Sequence, residues 1–94
     1  MRIIAVCGAG IGTSAILKVN AERALERLGL RADVTASDLA GVRDAAADAQ
    51  VVLTSTELAA AVREALGRSY AEILEVTNYF DVAEISRALE KSLG

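Results

Sequence analysis

Cys7 is the single cysteine in a chain of 94 residues that contains no histidine. It is followed at once by Gly8, Ala9, Gly10, Ile11, Gly12, Thr13 and Ser14, which set three glycines and two hydroxyls directly after a thiol. Glycines leave backbone N–H groups uncovered and tolerate φ > 0, so such a turn cradles anions. If the turn opens a helix, with Thr13 or Ser14 as its N-cap, the helix dipole reinforces that preference. A thiol in this setting is expected to ionise below its ordinary pKa, and the thiolate is the nucleophilic form.

The missing residues narrow the chemistry further. Without histidine there is no Ser-His-Asp or Cys-His catalysis, and with a lone cysteine no usual zinc site, so no metal is expected. One cysteine cannot form an internal disulfide, which fits a reducing cytoplasm. A dinucleotide fingerprint would require a third glycine where Thr13 stands, although Asp38 stands where a ribose-binding acid would. A Walker A loop would require a lysine before Thr13 or Ser14. No nucleotide or other cofactor is therefore expected.

The spacing from Cys7 also invites comparison with small tyrosine phosphatases, which use C-x5-R-[ST]. Here Thr13 occupies the arginine position. The nearest cations are poorly placed: Arg2 lies about 16 Å away along a strand at ~3.3 Å per residue, and Lys18 sits more than a turn into the helix. A site without that arginine should form a phosphothiol yet hydrolyse it slowly, as a phosphoryl carrier requires.

The surrounding pattern supplies the elements that would hold this loop. RIIAVC (2–7) reads as a buried strand and residues 13–28 as a helix, with Leu17, Ala21, Ala24, Leu25 and Leu28 inward and Gly29 as its stop. Ile16, Val19, Asn20, Arg23 and Arg27 fall on its other side. Strands are expected over 32–37, 49–55 and 71–78, with a weak helix over 38–48 and firmer ones over 57–67 and 81–94. In the last two, Leu58, Val62 and Leu66, then Val82, Ile85 and Leu89, face inward. Asp81 is placed as N-cap of the closing helix, and Glu84 in the capping-box position.

Alternating strands and helices give an α/β fold: one domain, residues 1–94, with a four-stranded parallel sheet in the order 2-1-3-4 and helices on both faces, flavodoxin-like. Ligands of such sheets bind beyond the carboxyl ends of the strands at the switch point, where residues 7–14 would lie. The chain is 53% apolar but only 3% aromatic, so its core must be built from Ala, Val, Ile and Leu. A net charge of −3 argues against nucleic-acid binding, which needs clustered Lys and Arg. No apolar run approaches the ~20 residues of a membrane span, and the N-terminus lacks a secretory pattern, so the expected location is the cytoplasm.

CGAGIGTS, the helix AILKVNAERALERLGL, the V-V-L-T-S-T strand and E-V-T-N-Y-F-D together resemble the cytoplasmic IIB components of the bacterial sugar phosphotransferase system. The resemblance spans essentially the whole chain and is closest to the ascorbate-type branch, allied to the galactitol type. It implies a phosphotransferase: Cys7 accepts a phosphoryl group from the phosphohistidine of a IIA partner and passes it to a sugar, ascorbate or a related one, at the membrane component IIC. Residues 8–14 would hold the phosphoryl oxygens. The alternatives carried forward are a small cysteine-dependent phosphatase and a nucleotide-binding module.

Several other residues stand close enough to matter. Thr54, Ser55 and Thr56 end the third strand, where a hydroxyl can reach the loop or simply lead into the next helix. Asp38 reads better as an exposed turn carboxylate, since an acid beside a phosphoryl dianion would repel it. Ile16 and Val19 are candidates for partner docking. Of Tyr79 and Phe80, after the fourth strand, at least one is expected to be buried.

Overall fold

The computed structural model describes residues 2–6, 11–67, 71–78 and 80–93; for residues 11–14 and 93 only the backbone is considered. The elements run β1 (Arg2–Val6), α1 (Ile11–Leu28), β2 (Asp33–Ser37), α2 (Val42–Ala45), β3 (Val51–Ser55), α3 (Ala59–Leu66), β4 (Glu72–Val76) and α4 (Val82–Leu93). The four strands form one parallel sheet in the order β2-β1-β3-β4, as expected.

Side chains alternate across a strand, and here the alternation divides the core in two. Ile3, Ala5, Val51, Leu53 and Val76 pack under α1 and α4 with Leu17, Ala21, Ala24, Leu25, Ile85 and Leu89. Ile4, Val6 and Val52 point the other way, against Val42, Ala46, Val62 and Leu66 of the α2–α3 layer. The central strands are covered on both faces, which is why they read as unbroken apolar runs. Residues 3–6 of β1 are all buried.

α1 ends as its sequence predicts. Gly29 adopts φ 69°; its N–H bonds the Glu26 carbonyl at 3.2 Å, and the Leu30 N–H bonds the Leu25 carbonyl at 3.0 Å. This is the Schellman arrangement, with glycine at the left-handed position. The start of α1 differs from expectation: the helix begins at Ile11, so Thr13 and Ser14 lie inside its first turn and neither is the N-cap. The added residues are Ile11 and Gly12, inside the glycine-rich run that the sequence pattern reads as a turn.

Asn20 is a second correction, being only 8% exposed although the periodicity placed it outward. α1 packs on the sheet and also along α4, which widens its buried stripe beyond the one that five apolar residues define. At α4, Asp81 is the cap as expected: its Oδ1 accepts from the N–H groups of Ala83 (3.0 Å) and Glu84 (3.2 Å). Glu84 does not close a capping box. Its carboxylate turns instead to Thr77 and Asn78 at the end of β4.

Candidate functional site

The carboxyl end of β1 lies in the middle of the sheet. Val6 is in register with Ser37 of β2 on one side and Thr54 of β3 on the other. The chain leaves β1 toward β2 through α1 and reaches β3 through α2, so the sheet's switch point is at this strand end. Cys7, Gly8, Ala9 and Gly10 occupy the connection to α1 and lie outside the described residues. Ile11, Gly12, Thr13 and Ser14 form the first turn of α1. In a helix that begins at Ile11, the N–H groups of Ile11, Gly12 and Thr13 have no helical carbonyl four residues back, so the partially positive end of an 18-residue helix opens onto the switch point.

The hydroxyls at the end of β3 have different fates. Thr56 is tied to β4: its N–H (3.0 Å) and its Oγ1 (3.4 Å) both donate to the Val76 carbonyl. Ser55 is half-buried, and its carbonyl accepts from the Leu58 N–H at 3.1 Å. Neither caps α3, whose N-cap position is Leu58 with no side-chain bond. Thr54 is wholly buried, and its hydroxyl has no hydrogen-bond partner among the described residues.

Asp38 belongs to a turn. Its Oδ1 accepts from the Gly41 N–H at 2.7 Å, and a Cβ on Gly41 would meet that oxygen at 3.1 Å. A side chain at position 41 would crowd this bond, and Asp38 is occupied as a turn carboxylate. The cations set aside in the sequence are engaged elsewhere. Arg2 contacts Asp48 at 3.2 Å at the opposite end of the sheet, and Lys18 reaches Glu22 at 3.4 Å along α1. A shallow hollow of about 530 Å³ also lies at that opposite end, lined by Glu22, Glu26, Asp33 and Arg31 among others; three carboxylates against one guanidinium disfavour an anion there.

Ile16 and Val19, one and two turns into α1, are 37% and 44% exposed, and Phe80 ahead of α4 is 60% exposed. All three project from the layer that α1 and α4 share, near the end of the sheet from which β1 exits. The expectation that one of the paired aromatics is buried does not apply to Phe80, and Tyr79 lies outside the described residues. The Phe80 N–H donates to Asn78 Oδ1 at 3.0 Å. Among the described residues, no helix is long and apolar enough to cross a membrane.

Comparison with known proteins agrees with this geometry. The family model described as "PTS system, Lactose/Cellobiose specific IIB subunit" matches residues 2–91. A curated relative, the ascorbate-specific PTS system EIIB component of Mycoplasma pneumoniae, is 33% identical over 93 residues, covering 99% of this chain and 95% of the relative. Among solved structures, the lactose-specific IIB domain of the Streptococcus pneumoniae phosphotransferase system superposes with a TM-score of 0.73 over 100% of this chain and 98% of that one. Its sequence identity is 16%, so this match speaks to the fold alone.

Proposed function

The chain belongs to the PTS IIB family, the IIB components of sugar phosphotransferase systems, and from that premise we propose that it relays a phosphoryl group on Cys7. The observation that carries the reading is the position of the C-G-A-G-I-G-T-S run. It leaves the central strand at the switch point and enters α1 at Ile11, so the chain's one thiol precedes a helix N-terminus.

In the forward step the Cys7 thiolate attacks the phosphorus of a phosphohistidine on a IIA protein. The N–P bond breaks, its electron pair returns to the imidazole, and an S–P bond forms. Residues 8–14 hold the three phosphoryl oxygens through backbone N–H groups and the Thr13 and Ser14 hydroxyls, assisted by the α1 dipole. In the second step a sugar hydroxyl bound in the membrane component IIC attacks phosphorus. The S–P bond breaks, the hydroxyl proton passes to solvent or a base in IIC, and Cys7 leaves as the thiolate, ready for another cycle. Because Thr13 stands where a phosphatase carries arginine, attack by water lacks the cation that would stabilise it. The chain acts in the cytoplasm, where both partners present their sites.

Ascorbate or a related sugar acid is the proposed cargo. The full-length relative at 33% identity is ascorbate-specific, whereas the lactose-specific domain shares only 16% of its sequence. The test is Cys7→Ser. Incubated with phosphoenolpyruvate, the general phosphotransferase proteins and a IIA protein, the variant should take up no phosphoryl group while the native chain does. A stable label on the variant would defeat the assignment. Turnover of p-nitrophenyl phosphate by the native chain would favour a phosphatase instead.

A further inference from the structure

The last described row of the sheet on the α2–α3 side runs Ser37, Val6, Thr54 and Glu75 across the four strands. Three of these residues are polar, and two of them are occupied. Ser37 Oγ donates to the Asp38 carbonyl at 3.1 Å, and Glu75 pairs with Arg63 of α3 at 3.0 Å. Thr54 is fully buried, and its Oγ1 has no partner among the described residues. It follows Val51, Val52 and Leu53, all buried, so it holds a core position where valine would have the same shape without a hydroxyl to desolvate.

An unpaired buried hydroxyl is destabilising, and natural cores rarely keep one without a use for it. What sets this one apart is its register. Thr54 lies directly beside Val6, and Cys7 is the next residue along the chain. Adjacent strands lie about 4.8 Å apart, so Thr54 stands one strand spacing from the last described residue before Cys7 in the sequence.

Resting on the reading of Cys7 as the phosphoryl-carrying residue, we infer that Thr54 donates a hydrogen bond to the negative charge carried at Cys7, first on the thiolate and then on the phosphoryl group. No described residue pairs with the hydroxyl, which leaves it available to that charge, and the core gives up some stability in return.

Thr54→Val and Thr54→Ser test this with two readouts beside the native chain. One is the rate of Cys7 alkylation by iodoacetamide as a function of pH; the other is the rate of phosphoryl transfer from a phosphorylated IIA protein. Thr54→Val should melt no lower than the native chain, because an unpaired hydroxyl has been removed. It should also be slowed at least about threefold in at least one readout, since one hydrogen bond to a charged group is worth roughly tenfold or more. Thr54→Ser should recover most of that loss.

The inference is overturned if Thr54→Val stays within about threefold of the native chain in both readouts, or if serine restores nothing. It is equally overturned if Thr54→Val melts several degrees lower, since the hydroxyl would then be structural. Should the native chain itself accept no phosphoryl group, the proposed function fails, while the alkylation profile still decides for or against Thr54.

Discussion

Glu84 on the first turn of α4 holds Thr77 at the end of β4 through a single carboxylate oxygen. Oε2 accepts from the Thr77 N–H at 2.9 Å and from its hydroxyl at 2.7 Å, while Oε1 accepts from the Asn78 N–H at 2.9 Å. The bond from the Thr77 backbone is the largest cause holding the Glu84 carboxyl below its ordinary value of 4.5; the remaining bonds and the Arg87 charge act in the same direction, and burial opposes them. The clasp fixes the turn that carries Phe80 and starts the closing helix.

A carboxylate with a lowered folded pKa stabilises the fold at pH above its unfolded pKa, and the contribution is lost as pH falls through the folded value. Glu84→Gln should therefore melt below the native chain at pH 7, and the difference should shrink once the pH drops below about 4. Thermal melts of both proteins from pH 3 to 7 check this. A difference independent of pH would mean that the charge on Glu84 contributes nothing.

Gly67 and Gly29 both close helices at positive φ, but they are not equivalent. Gly67 sits at φ 59°, ψ −127°, a region that residues with a Cβ scarcely enter, and Gly29 terminates a Schellman motif at φ 69°. Open space surrounds the Cβ position at each, so backbone strain alone sets the cost. Gly67→Ala should destabilise by about 1–3 kcal/mol and Gly29→Ala by about 1 kcal/mol. Denaturant midpoints measured side by side give the order.

Ile16 and Val19 present apolar surface on the first turns of the helix that receives the Cys7 loop. If that surface meets the donor protein, Ile16→Asp with Val19→Asp should lower the melting temperature only modestly, because both side chains are already partly exposed. Transfer from a IIA protein should slow by tenfold or more, chiefly through a raised KM for the donor. An unaltered transfer rate would remove this face from the docking surface.

The layout of the chain was legible in its sequence, and the reasons are local. V-V-L and I-I-A-V are apolar on both faces, so they had to be central strands of a parallel sheet. Gly29 and Asp81 mark helix ends by mechanisms that need no tertiary context. What escaped notice depends on contacts distant in sequence. Asn20 is buried because α4 lies along α1, and Glu84 reaches back seven residues to Thr77 instead of closing its own capping box. Thr54 could be named as a strand-end hydroxyl, but that it is buried and has no partner among the described residues follows only from tertiary packing. The motif at residues 7–14 was legible as chemistry, and its beginning, Cys7 to Gly10, lies outside the described residues.

The central claim is that phosphate resides on sulfur in this chain. Its most direct test is the intact mass of the native protein, before and after incubation with phosphoenolpyruvate, the general phosphotransferase proteins and a IIA protein, followed by peptide mapping. The account predicts a gain of one phosphoryl group, located on the peptide containing Cys7 and absent when that thiol is first blocked with iodoacetamide. An unchanged mass, or a phosphoryl group found on any other residue, would contradict it.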